Sequence, residues 1–339
     1  MLSKAVANLI FTLGLWGTFL PAYGVDTNTV GRVLVVVNPD AIRSFTPQPE
    51  PVQKMLREGL LHLTGAPDLK QAWLQLVSTQ DTIGIKVHSA PGRMSGTRPA
   101  VVSPLIESLL EAGIRPQQII IWDRRLADLI LADYHKLAEK YKVQLAGAQE
   151  AGYDGETSYP STILGRLVYG DFEFGKKGEG VGRNSYVSQL LTKRITKIIN
   201  VTPLLNHNQA GVSGVLYGLT MASVDNTIRF EEPERLATAI PEIYAMPELA
   251  DRVVLNIVDA LICQYRGEEF TRFNYATPLN QLWFSHDPVA LDALAIQELD
   301  RHRSEKARKG TLQIYGNAEL MDLGVANTNR IRVERLELK

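Results

Sequence analysis

Asp81–His88 reads D-T-I-G-I-K-V-H, Ser89–Pro99 reads S-A-P-G-R-M-S-G-T-R-P, and Gln117–Arg125 reads Q-Q-I-I-I-W-D-R-R. Ser103–Ala112 lies between the last two and has apolar residues at helical spacing. The order is strand, glycine-rich loop, helix, strand. Along the first strand side chains alternate, so Lys86 and His88 share one face. Arg98 closes the loop, and Asp123 and Arg124 close the second strand. Parallel α/β sheets bind ligands just beyond the carboxyl ends of their strands. The block therefore marks a candidate ligand site: Lys86, Ser95, Thr97, Arg98, Asp123 and Arg124 would line an anion pocket. Gly92 and Gly96 would let backbone N–H groups approach the ligand. The glycine spacing fits neither the dinucleotide fingerprint nor the P-loop.

Outward from this block, strands and helices keep alternating. Val33–Val37 is an apolar, β-branched run of the kind buried in parallel sheets. Helices are expected at Val52–Leu63, Leu69–Val77, Leu126–Tyr141 and Asn184–Leu191, and again at Gly214–Ala222, Glu234–Ile240 and Val289–Arg303. The last is entered at Asp287-Pro288, a cap followed by proline in the first turn. The helix Glu234–Ile240 is expected to stop before Pro241. Further strands are expected at Val143–Ala146, Lys197–Val201, Val253–Val258 and Leu282–Ser285, with a final edge strand at Arg330–Leu338. Residues 152–182 are glycine-rich and aromatic and read as a β-hairpin insertion. The whole is an α/β fold: three layers, a largely parallel sheet with helices on both faces, and a small β insertion.

The 339 residues are 45% apolar and 22% charged, with a net charge of −1. That balance is ordinary for a globular protein and gives no basic stripe for nucleic acid. Residues 1–24 follow secretory signal grammar: Lys4 in a short n-region, apolar Ala5–Leu20, then small Ala22 and Gly24. The apolar run is short for a membrane span, and no later one is long enough. The expected mature chain is one domain, residues 25–339, exported to the periplasm or secreted, with no stable membrane span after cleavage. Cys263 is the sole cysteine, so this chain alone ligates no four-cysteine iron–sulfur cluster. It reads as a buried thiol.

Two more stretches carry polar residues at strand ends. Ile195–Gly218 contains Asn206-His207-Asn208-Gln209, where His207 is a candidate acid/base or metal ligand and Asn206 a ligand contact. Trp283–Asp292 reads W-F-S-H-D-P-V-A-L-D, with Asp287 as a helix cap. Asp259 follows the strand Val253–Val258. If their strands are parallel and adjacent, His88, His207 and His286 converge with Asp259 on one rim as a transition-metal site.

Together these blocks resemble the DUF362 family, a domain of unknown function. The resemblance rests on D-T-I-G-I-K-V-H with I-I-I-W-D-R, on I-I-N-V-T-P-L-L-N-H-N-Q-A-G-V-S-G, on L-N-I-V-D-A-L, and on S-H-D-P-V-A-L-D-A. It spans about Arg32 to Leu338. It implies redox company, since some relatives are fused to ferredoxin-like modules, and so a redox partner protein. The chain departs from the pattern at His88, where relatives carry asparagine. It departs again at Leu205, Tyr217 and Gly218, where they carry lysine or a Lys-Asn pair. A weaker similarity, in Thr97-Arg98-Pro99 and Glu111-Ala112-Gly113, runs to the nickel-pincer lactate racemases. Two functions stay open. One is an enzyme that holds a small anion or metal at the rim, with His88 and His207 as catalytic groups, Lys86 and Arg98 on the anion, and Asp259 orienting. The other is a non-catalytic periplasmic binding or accessory protein. The cofactor is not identified by the sequence.

Overall fold

The computed structural model describes residues 30–339 apart from 268–269, 305 and 307–308; the signal segment expected over residues 1–24 lies outside the described residues. Eight strands form the body of the central sheet: β1 (Gly31–Val37), β2 (Ile83–Val87), β3 (Ile119–Asp123), β4 (Gln144–Gly147), β5 (Lys197–His207), β6 (Val253–Gln264), β7 (Ala276–Ser285) and β8 (Ile331–Glu337). Their spatial order is β8-β1-β7-β6-β5-β2-β3-β4, and the short strand Gly211–Val212 folds back on β5. β7 is antiparallel to both its neighbours, and every other pairing along this order is parallel.

The central strands are buried on both faces because they are apolar on both. Alternate residues divide between two cores. Ile83, Ile85, Val87, Ile119 and Ile121 pack on one side with helices Pro49–Thr64 and Pro99–Glu111. Ile120, Trp122 and Ile198 pack on the other with helices Val215–Ser223, Pro233–Tyr244 and Pro288–His302. This is the three-layer α/β arrangement expected. None of the helices among the described residues is long and apolar enough to cross a membrane.

Several elements differ from expectation for physical reasons. Asn184–Ser188 is a strand, not the start of a helix. It pairs with Tyr153–Pro160 to form the β insertion, so the return strand lies beyond residue 182. Arg166–Phe174 carries turns rather than strand. Tertiary partners decide this: the Tyr186 N–H donates to the buried Asp225 carboxylate (2.6 Å), and the Arg229 guanidinium ties Ile163 O (2.8 Å) to Gly182 O (3.1 Å). The run Leu126–Tyr141 breaks into Leu126–Leu131 and Tyr134–Tyr141, because Asp133 adopts the left-handed conformation (φ 67°). Pro241 sits inside helix Pro233–Tyr244 instead of ending it. A proline cannot donate to the carbonyl four residues back; here that carbonyl, Ala237 O, accepts from the Asn317 amide (2.7 Å).

Candidate functional site

The carboxyl ends of β2 and β3 open on a cavity of about 320 Å³. His88, Asp123 and Arg124 line it from the strand ends, and Tyr217, Gly218, Met221 and Ala222 line it from helix Val215–Ser223. His88 is held at both backbone groups by one residue. Thr97 Oγ1 accepts from His88 N (2.9 Å) and donates to Val201 O (2.7 Å), while Thr97 N donates to His88 O (2.9 Å). Tyr134 OH in turn donates to Thr97 O (2.6 Å). The loop can close this tightly because Gly96 has no side chain: a Cβ there would lie 2.4 Å from His88 O.

The His88 ring is buried, and its Nε2 has no hydrogen-bond partner among the described residues. Burial lowers its pKa to about 4; Asp123 pulls it up and Lys86 pushes it down. It is a neutral imidazole at ordinary pH. Beneath it, Lys86 Nζ meets Asp123 Oδ1 at 3.1 Å and donates to Val87 O (2.7 Å). Ser89 donates to Asp123 Oδ2 from both N and Oγ, each at 2.7 Å. Burial pushes the Asp123 carboxyl up, but Lys86, His88 and the Ser89 bonds outweigh it and hold it below the ordinary carboxylate range. Burial holds Lys86 below the ordinary lysine range against the pull of Asp123. The two charges satisfy each other, so Lys86 sets the potential under His88 rather than reaching a ligand.

Other residues expected on the cavity are committed elsewhere. Arg98 caps helix Pro99–Glu111 and forms a buried pair with Asp259: Arg98 N donates to Oδ2 (3.0 Å) and Nη1 to Oδ1 (2.8 Å). Asp259 lies where the β5–β6 ladder loses register, which leaves room for this contact. Ser95 Oγ donates to Gln264 Oε1 (2.6 Å). Gly92 N and Gly96 N bond Ser89 O and Gly92 O, so neither amide is free for an anion. The Thr97-Arg98-Pro99 triplet thus opens a helix and clamps His88.

His207 ends β5, where Gly211 pairs back to it. Its Nδ1 accepts from Ala210 N (3.0 Å) and Gln209 N (3.3 Å). A neutral ring so held carries its proton on Nε2. Burial, then His88, lower its pKa to about 4, and its ring packs on Tyr217 with centroids 4.2 Å apart. Asn206 Oδ1 accepts from Arg303 Nη1 (2.6 Å). His286 corrects the three-histidine expectation. It follows the antiparallel β7, so it lies at the opposite edge of the sheet, where its Nδ1 is 2.9 Å from Val254 O at the start of β6. Among the described residues, no group of three or more His, Cys, Asp or Glu is arranged to hold a metal ion.

The family model for DUF362, a domain of unknown function, matches residues 83–297. The chain belongs to the DUF362 family. A crystal structure of a Thermotoga maritima protein is similar at 11% identity and a TM-score of 0.41, covering 86% of this chain. The chain spans about three-fifths (61%) of the length of that protein. No curated protein matches the chain.

Within this DUF362 chain, His88, Tyr217 and Gly218 all line the cavity, and Leu205 is fully buried. Sequence reasoning missed Ala90, Arg125, Asp128, Val168, Met221, Ala222, Ile228 and Glu231. Arg125 and Asp128 had a signal, since Arg125 caps the helix that follows β3 and Asp128 sits in its first turn. Val168 comes from the insertion and Ile228 from beyond helix Val215–Ser223, and only tertiary packing brings them here. Asp292 does not face the cavity. It is wholly buried and accepts from Val215 N (2.7 Å) and Leu216 N (2.9 Å), which fixes the start of the helix that walls the cavity. Burial raises its carboxyl to about 7, against the pull of those two amides.

Proposed function

We propose that this DUF362 protein is exported and binds a small polar ligand in the cavity at the ends of β2 and β3, with His88 exchanging a proton with it. One observation carries the reading: a buried, neutral imidazole with an unpartnered Nε2 lines a cavity that also contains guanidinium groups. An unsatisfied buried polar group costs about 1–3 kcal/mol. A fold that clamps such a ring from both sides retains that cost at a ligand site. The cavity volume falls at the small end of ligand pockets, which run from about 300 to 1,000 Å³. Export rests on the n-h-c grammar of residues 1–24.

His88 Nε2 accepts a proton if the Nδ1 tautomer is present and donates one in the other, so the ring serves as acid or base without becoming a lasting cation. His207, with its proton on Nε2, supplies a second donor on the same rim. The lining side chains provide charge and a proton; an electron carrier, in the redox reading of the family, comes from a bound group or a partner protein. The test is calorimetry with a panel of small carboxylates, phosphates and amino acids. At least one should bind, and His88→Asn should weaken it by roughly tenfold or more, the worth of a hydrogen bond near 1.4 kcal/mol. Binding that is indifferent to that substitution overturns the reading.

A further inference from the structure

The charges around the cavity are of both signs and are not spent on one another. Arg124 and Arg125 stand at its strand end, and Asp128 and Glu231 also line it. No hydrogen bond or ion pair joins any of these four side chains to a neighbour among the described residues. Asp128 is close enough to both arginines to feel them: burial and then Asp123 push its carboxyl up, while Arg125 and Arg124 pull it down. The buried opposite charges nearby do pair, Lys86 with Asp123 and Arg98 with Asp259, whereas here Arg124 and Asp128 are half-buried and Arg125 and Glu231 exposed at the mouth. A recess that keeps two cations and two anions apart has the charge pattern of a counterpart with separated charges of its own. Ala90, Val168, Met221, Ala222 and Ile228 supply apolar wall.

We propose that the ligand is a zwitterion of amino-acid type: an acidic group held by Arg124 and Arg125, an ammonium held by Asp128 and Glu231, and a modest apolar substituent against Met221 and Ala222. This rests on the cavity being the ligand site and narrows the ligand class. A guanidinium binds a carboxylate through two parallel N–H donors, and an ammonium offers three donors to carboxylate acceptors. His88 then lies beside the polar end of the ligand, with Nε2 as its hydrogen-bonding atom. A plain anion leaves Asp128 and Glu231 facing it, which is repulsive.

The experiment uses the whole mature chain and a set of α-amino acids, each with its desamino acid and its decarboxylated amine, by calorimetry. At least one amino acid should bind roughly ten- to a hundredfold more tightly than either of its halves, the worth of a charge-assisted hydrogen bond. Asp128→Asn should narrow the gap between that amino acid and its desamino acid, and Arg124→Gln the gap between it and its amine. If a desamino acid binds as tightly as its amino acid while still depending on His88, the zwitterion is overturned and the ligand site stands. If no member binds, or binding ignores His88, Arg124 and Asp128 alike, both fall.

Discussion

Replacing Asp259 by asparagine should destabilise the fold by about 3–5 kcal/mol, the cost of breaking a buried ion pair from one side. The carboxylate is wholly buried and accepts from Arg98 N, Arg98 Nη1 and Leu261 N. Asparagine keeps the shape but loses the charge, and turns one acceptor into a donor among donors. Arg98 is 3% exposed, and its guanidinium keeps only Met94 O (3.0 Å). It cannot shed its proton to relieve the strain. For a chain of this size the cost corresponds to a fall in Tm of roughly 5–15 °C. Calorimetric melting and urea denaturation measure it. The double variant Arg98→Met, Asp259→Leu removes both charges and should recover most of the loss, because the desolvation of the pair disappears with it. A fall of less than about 2 °C in the single variant, or a double variant as unstable as the two singles combined, refutes a structural role for the pair.

Stability should fall as pH drops between 6.5 and about 4, the ordinary and folded values of His88. The unfolded chain binds that proton first, so the contribution is fully present above the ordinary value and lost toward the folded one, on the order of 3 kcal/mol. Urea denaturation across that window should show the slope, and His88→Asn should flatten it; His207 acts in the same direction. Gly96→Ala places a Cβ against His88 O, and should cost about 1–3 kcal/mol while moving the His88 ring resonances. Asn317→Ala should cost about 1–2 kcal/mol in a melting experiment, because Ala237 O, freed by Pro241, loses its donor.

The apolar runs of β1, β2, β3, β5 and β6 made the sheet legible, since each has the β-branched continuity of a strand buried on both faces. The direction of β7 was not legible: the expected strands Val253–Val258 and Leu282–Ser285 leave room for a crossover helix between them, and only the full lengths of β6, to Gln264, and β7, from Ala276, make them antiparallel neighbours. That is why His286 was expected on the wrong edge. The strand ends of β2 and β3 correctly located a cavity, and His88, Asp123 and Arg124 line it. What the sequence could not show was how polar residues of the same loop divide their work. Thr97 and Arg98 have the chemistry of anion contacts, yet Val201 O and Asp259 occupy them. Those partners lie more than a hundred residues away, on strands whose order is a tertiary fact. The insertion failed for the same reason: Asn184–Ser188 is strand because Asp225 and Arg229 hold it there.

The most direct measurement is ring nitrogen NMR of His88, free and with the tightest-binding member of the ligand panel. The ring should stay neutral down to a pH of about 4 in the free protein, with an Nε2 resonance that shifts as the ligand saturates. A free ring that titrates near 6.5, or an Nε2 signal unmoved at saturation, contradicts this reading.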